Sequence, residues 1–143
     1  MLGQHLDGVT VLDAFGGSGL ITFESISRGA VVTTVEKNRS VARQIQAEAD
    51  QLQVQVDLRI SDARSVASSG VWDVVFMDPP YADDPVEWAN VGSLAAKSVL
   101  IVEHRSGADM PSVLGAFAVD RSRRHGDSVL TIYRCRDASG SQE

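Results

Sequence analysis

Apolar positions along this chain gather into short runs separated by polar turns, and the spacing inside the runs alternates between two periods. Val9, Val11 and Leu12 mark a first strand over about Thr10–Phe15, and Leu20–Ser27 follows it as a helix-like stretch ending near Arg28-Gly29, with Gly29 placed to cap it. Ala30–Val35 is rich in β-branched residues and closes on Glu36. Asn38 is then a good N-cap for a helix from Arg39 to about Leu52, in which Val41, Ile45 and Ala49 recur every four residues. Val54–Ile60 alternates like a third strand, Ser65–Ser69 reads as a short helical turn or loop, and Trp72–Met77 as a fourth strand. Beyond a Pro-Pro break the pattern predicts a short helix over Pro85–Ala96, a fifth strand over Ser98–Glu103 and a small helix opening at Pro111–Leu114. Phe117–Arg124 and Ser128–Arg134 flank His125-Gly126-Asp127 as a β-hairpin.

Strands that alternate with helices and then end in a hairpin imply an α/β fold, with a mostly parallel sheet into which one antiparallel strand is inserted. The 143 residues fit one domain, taken as 1–136 with a flexible tail over 137–143. No apolar run approaches the ~18 residues of a membrane-spanning helix, and residues 1–8 lack the basic and apolar regions of a signal peptide. The single cysteine, Cys135, has no partner for an internal disulfide, which suits a reducing compartment, so a cytoplasmic monomer is expected. No Cys or His pair stands at metal-ligand spacing, and no metal is expected. A net charge of −6 argues mildly against broad nucleic-acid affinity. The five arginines between Arg121 and Arg136 are opposed only by Asp127, however, which leaves room for a local basic patch.

Two strand ends carry the chemistry. The first is Val11–Gly19, V-L-D-A-F-G-G-S-G, a strand feeding a glycine turn at the start of a helix, where a ligand can approach the main chain closely. Glu36, at the end of the next strand, can accept both hydroxyls of a ribose. Asp13 beside the loop suggests a ligand with a cationic group, and Asp62, with the Ala63 N–H, can pair an adenine edge or simply cap a turn. The second end is Asp78-Pro79-Pro80-Tyr81. There the Asp78 carboxylate and the Pro79 carbonyl form an acceptor pair for a planar exocyclic amine, and Tyr81 offers a ring on which a base can stack. Trp72 and Trp88 read as packing residues, Glu103-His104 as a polar pair at a strand end near the same rim, with contact to substrate the second reading, and Cys135 as chemically idle.

With these residues in place the chain resembles the class I S-adenosylmethionine (SAM)-dependent methyltransferases. More narrowly, it resembles the RsmD-like family, which methylates the N2 amine of a guanine in small-subunit ribosomal RNA. The residues that carry the likeness are V-L-D-A-F-G-G-S-G-L, E-S-I-S-R-G-A at Glu24–Ala30, V-E-K-N at Val35–Asn38, F-M-D-P-P-Y, and R-x-x-G-D-S-V-L-T-I-Y from Arg123 to Tyr133. The resemblance implies a Rossmann-like, seven-stranded, mostly parallel sheet with an antiparallel hairpin strand and helices on both faces. It implies that Asp13, Phe15, Gly17 and Gly19 line the methionine part of SAM, that Glu36, with Lys37 beside it, holds the ribose, and that Asp62 and Ala63 hold the adenine. Asp78, Pro79, Pro80 and Tyr81 then hold the target base, and ribosomal RNA or the assembling small subunit is the implied partner. Family members usually carry an N-terminal segment with an arginine–proline motif and a helix, whereas this sequence starts about eight residues before its first strand; RNA affinity is expected to suffer without that segment. The rival readings are an adenine-N6 DNA methyltransferase, which also uses D-P-P-Y, and a non-catalytic SAM- or RNA-binding module. A dehydrogenase would leave D-P-P-Y without a role.

Overall fold

A computed structural model describes residues 5–136. Its elements run β1 (Thr10–Asp13), α1 (Leu20–Ser27), β2 (Val31–Val35), α2 (Arg39–Leu52), β3 (Asp57–Arg59), α3 (Ala63–Ala67), β4 (Trp72–Met77), α4 (Pro85–Ala95), β5 (Ala96–Arg105), β6 (Val113–Leu114), β7 (Phe117–His125) and β8 (Ser128–Cys135). One sheet holds all the strands in the order β3-β2-β1-β4-β5-β8-β7-β6. The first five are mutually parallel, and β8 lies antiparallel between β5 and β7, so the inserted strand expected from the hairpin is present. The tail expected over residues 137–143 lies outside the described residues.

The sheet has eight strands rather than seven, and residues 111–114 do not open a helix. Val113 and Leu114 instead pair with Ala118 and Phe117 across a two-residue turn. Gly115, at φ 59°, takes the left-handed first position that such a hairpin turn needs. Burial of Leu114 against Phe117 and acceptance of the Tyr133 hydroxyl by the Pro111 carbonyl (2.8 Å) hold the segment flat on the sheet.

Alternation along the central strands sorts the core into two layers. Val75 and Met77 of β4, with Leu100 and Val102 of β5, pack beneath α3 and α4. Val74, Phe76 and Ile101 point the other way, towards Ile21 and Ile26 of α1. Asn38 caps α2 as expected, accepting from the Val41 amide at 3.1 Å. Asp84 caps α4 in the same manner, with Pro85 in the first turn. The third strand is shorter than expected because it is an edge, pairing with β2 alone.

Candidate active site at the sheet's switch point

The chain leaves β1 towards β2 and β3 on one side and returns to β4 and β5 on the other, so the carboxyl ends of β1 and β4 flank the point where strand order reverses. Open α/β sheets bind their ligands in the crevice at that point. A cavity of about 320 Å³ lies there, within the usual size range for small-molecule sites. Of the expected residues, Phe15, Gly17, Glu36, Lys37, Asp62, Ala63, Asp78 and Pro80 line it together.

The glycine loop is built by main-chain bonds from its neighbours. The Ala14 amide donates to the Phe76 carbonyl (3.0 Å) and the Gly16 amide to the Val35 carbonyl (2.8 Å), so the loop is tied to both adjacent strands. A Cβ on Gly16 would stand 2.8 Å from Thr34 Cγ2 and 3.0 Å from Ile45 Cδ1; only glycine lets the loop sit this close to β2. The Gly17 amide donates to Glu36 Oε1 at 2.9 Å, and the Asn38 amide to Oε2 at 3.0 Å. Each Glu36 oxygen thus takes one main-chain N–H and keeps a further lone pair towards the cavity.

Asp13 and Gly19 stand outside the lining of this cavity. Asp13 lies beneath the loop at 1% exposure. Its Oδ2 accepts from the Thr22 hydroxyl at 2.8 Å, that hydroxyl is 2.6 Å from Thr34 Oγ1, and Oδ1 is buried with no partner. Burial dominates its titration and pushes the carboxyl up to about 7, against the Thr22 hydrogen bond, which favours the charged form. Gly19 faces a separate hollow beside Phe23 and Glu48.

Asp62 takes the capping role, and its place in the cavity wall leaves the other role open. It caps α3, accepting from the Arg64 amide at 3.2 Å, and it lines the cavity next to Ala63. The opposite wall was not expected. Trp88, on α4, stands edge-on to Phe15 with ring centroids 4.9 Å apart and an interplanar angle of 86°. The Arg64 guanidinium lies 5.1 Å from the Trp88 ring, and the indole N–H donates to Asp83 Oδ2 at 3.0 Å. Trp88 is the packing residue it was read as and also part of the cavity wall. Trp72 only packs, with its indole N–H on Thr33 Oγ1 at 3.2 Å.

Asp78 follows the last residue of β4 and is half-buried in the cavity. Burial, then the nearby negative charge of Glu103, pushes its carboxyl up to about 6. Pro79 and Tyr81 line a narrow groove next door, which shares Pro80 and Asp83 with the cavity and continues to Glu103, His104 and Arg105. Tyr81 is 54% exposed, so its ring is open to a partner, and its hydroxyl is 2.9 Å from Ser128 Oγ at the start of β8. His104 is buried and committed. Nδ1 is 2.9 Å from the Arg105 carbonyl, which can only accept, so Nδ1 carries a hydrogen; Nε2 is 2.7 Å from Thr131 Oγ1.

Comparison with known proteins agrees with this geometry. Ribosomal RNA small subunit methyltransferase D of Escherichia coli (strain K12) is 26% identical over 147 residues, covering 92% of this chain and 71% of that protein. A solved structure of a conserved hypothetical protein from Streptococcus pyogenes superposes with a TM-score of 0.85 at 27% identity, covering 94% of this chain and 91% of that one. The crystal structure of magnesium protoporphyrin IX methyltransferase from Synechocystis PCC 6803 with bound SAM shares the fold, with a TM-score of 0.71 at 20% identity over 91% of this chain and 71% of that one. The fold is that of the Rossmann-like class I methyltransferases. In fold and sequence the chain is related to the SAM-dependent methyltransferases, and, matched over residues 1–134, it belongs to the family described as "Conserved hypothetical protein 95".

Proposed function

We propose that this protein is a SAM-dependent methyltransferase acting on an exocyclic amine of a nucleobase, the N2 amine of a guanine in small-subunit ribosomal RNA. The observation that carries this reading is the position of Asp78: it heads D-P-P-Y at the sheet's switch point and opens into the same cavity as Glu36 and Asp62. The name of the Escherichia coli relative supports ribosomal RNA as the substrate.

The residues present fit the cofactor. Gly17 is open towards the cavity, where nothing but the Phe15 carbonyl, at 3.9 Å, comes near an added Cβ. Glu36 offers carboxylate lone pairs to a ribose diol, and the Ala63 amide with Asp62 offers a donor and an acceptor to an aminopurine edge. SAM, when bound, supplies an electrophilic methyl group. The chain's part is to present the amine. Asp78 and the Pro79 carbonyl accept its hydrogens, which draws the nitrogen lone pair out of conjugation with the ring, and the two prolines keep the acceptors from turning away. Tyr81 gives the unstacked base a surface, which offsets part of the few kcal/mol that flipping costs. A carboxylate titrating near 6 is also placed to take the proton that the amine releases.

The test is transfer of labelled methyl from SAM to small ribosomal subunits that lack the modification, followed by nucleoside analysis. Label in N2-methylguanosine is expected from the wild type. Asp78→Ala is expected to cut turnover about a hundredfold or more while SAM affinity stays near that of the wild type. Turnover should also fall as pH drops through about 6, because protonation of Asp78 removes the acceptor. Undiminished turnover in the Asp78 variant contradicts the assignment, and label in N6-methyladenine of duplex DNA would favour the DNA enzyme instead.

A further inference from the structure

The narrow groove beside the cavity contains a carboxylate that the mechanism above does not use. Met77 pairs with Val102 across the parallel β4–β5 ladder, so the next residues, Asp78 just past the end of β4 and Glu103 within β5, lie side by side. Glu103 is half-buried and lines the groove with Pro79, Pro80 and Tyr81; its main chain is paired with Leu130 of β8, and among the described residues its carboxylate forms no hydrogen bond or ion pair. Its neighbours are already engaged: Asp83 holds the Trp88 indole, His104 is bonded at both ring nitrogens, and Tyr81 is tied to Ser128. The negative charge of Glu103 also helps to hold the Asp78 carboxyl up at about 6, so the two groups sense each other.

Two adjacent half-buried carboxylates fit a ligand that presents two adjacent donors. Among nucleobases bearing an exocyclic amine, guanine does so: N1–H stands next to the N2 amine. In adenine and cytosine the ring nitrogen beside the amine is a lone pair, which a second carboxylate would repel. Arg105, two residues beyond Glu103 on the same side of β5, adds a cationic donor for the guanine O6.

We propose that Glu103 selects guanine, its carboxylate accepting the N1–H of the base whose N2 amine is held at Asp78. This inference rests on the reading of the cavity as a nucleobase-amine methyltransferase site.

The test uses small subunits reconstituted with RNA carrying either guanosine or 2-aminopurine riboside at the labelled position. 2-Aminopurine keeps the N2 amine but has a lone pair at N1. The wild type is expected to prefer guanosine by about a hundredfold or more in kcat/KM, the scale on which hydrogen-bonding sites reject a mismatched edge. Glu103→Gln should lose about a hundredfold on guanosine and narrow the preference to within about tenfold, since its amide N–H2 now faces the N1 lone pair. Its SAM affinity, by calorimetry, should equal that of the wild type, which separates loss of recognition from misfolding. If the wild type labels guanine N2 and Glu103→Gln keeps both rate and preference, the inference alone is overturned. If the wild type labels an adenine amine or nothing, the underlying reading fails and the inference fails with it.

Discussion

At the scale of single residues, burial pushes up both aspartates at the ends of β1 and β4, but to different degrees. Asp78 is half in solvent and titrates near 6, so it is charged and accepting at neutral pH. Asp13 is sealed under the glycine loop and titrates near 7, with one oxygen unpartnered. Its unfolded carboxyl titrates near 3.8, so between about pH 4 and 7 the folded state holds the extra proton. Stability from this group is therefore full below the unfolded value and is lost as pH rises, by roughly 4 kcal/mol over about three units. Asp13→Asn cannot ionise and should gain on the wild type between pH 4 and pH 8. Chemical denaturation at the two pH values checks this, and an unchanged difference between variant and wild type refutes it. Asp78 was legible in the sequence because its motif is contiguous. The wall made by Trp88 was not, and Glu103 was legible only as a polar residue near the rim, since their partners Phe15 and Asp78 are distant in the chain and meet only in the fold.

Among the elements, the central parallel strands β4 and β5 were legible because they are buried on both sides and read as near-continuous apolar runs. The short β6 was not, since a proline and a serine ahead of two apolar residues suit a helix start as well as a hairpin arm, and the turn at Gly115 decides between them. Glu36 shows how a loop residue can serve two elements at once. Its two oxygens staple the Gly17 amide in the glycine loop to the Asn38 amide at the head of α2, while its free lone pairs face the cavity. Glu36→Ala should therefore weaken SAM binding by about 1–3 kcal/mol and also lower the melting temperature, as the two main-chain donors lose their acceptor. Calorimetry and thermal unfolding read the effects separately. Unchanged SAM affinity removes the ribose role, whereas an unchanged melting temperature removes the staple.

Across the whole molecule, the net charge of −6 conceals an uneven distribution that only the topology resolves. The hairpin of β7 and β8 sorts its arginines by end. Arg134 is paired with Asp120 at 2.9 Å and Arg136 donates to the Gly115 carbonyl at 2.8 Å, both far from the turn. Arg123, Arg124 and His125 lie at the turn itself, exposed, with the Arg124 Nε on the Gly126 carbonyl at 3.2 Å. That turn abuts D-P-P-Y through the Tyr81–Ser128 hydrogen bond, and Arg105 pairs with Ser128 at the same edge. The rim that holds Asp78 thus borders a strip of arginines on an otherwise acidic protein, the arrangement the proposed function calls for, with phosphates flanking a target base. Counting arginines in the sequence could not separate the two groups; the antiparallel register does, by sending residue 134 away from the turn. Replacing Arg123 and Arg124 together with serine should weaken binding to small-subunit RNA and leave SAM affinity intact. Each lost phosphate contact should also reduce the slope of log affinity against log salt by about 0.7–0.9. A double variant that binds RNA with the wild-type slope would mean that the phosphates are held elsewhere on the surface.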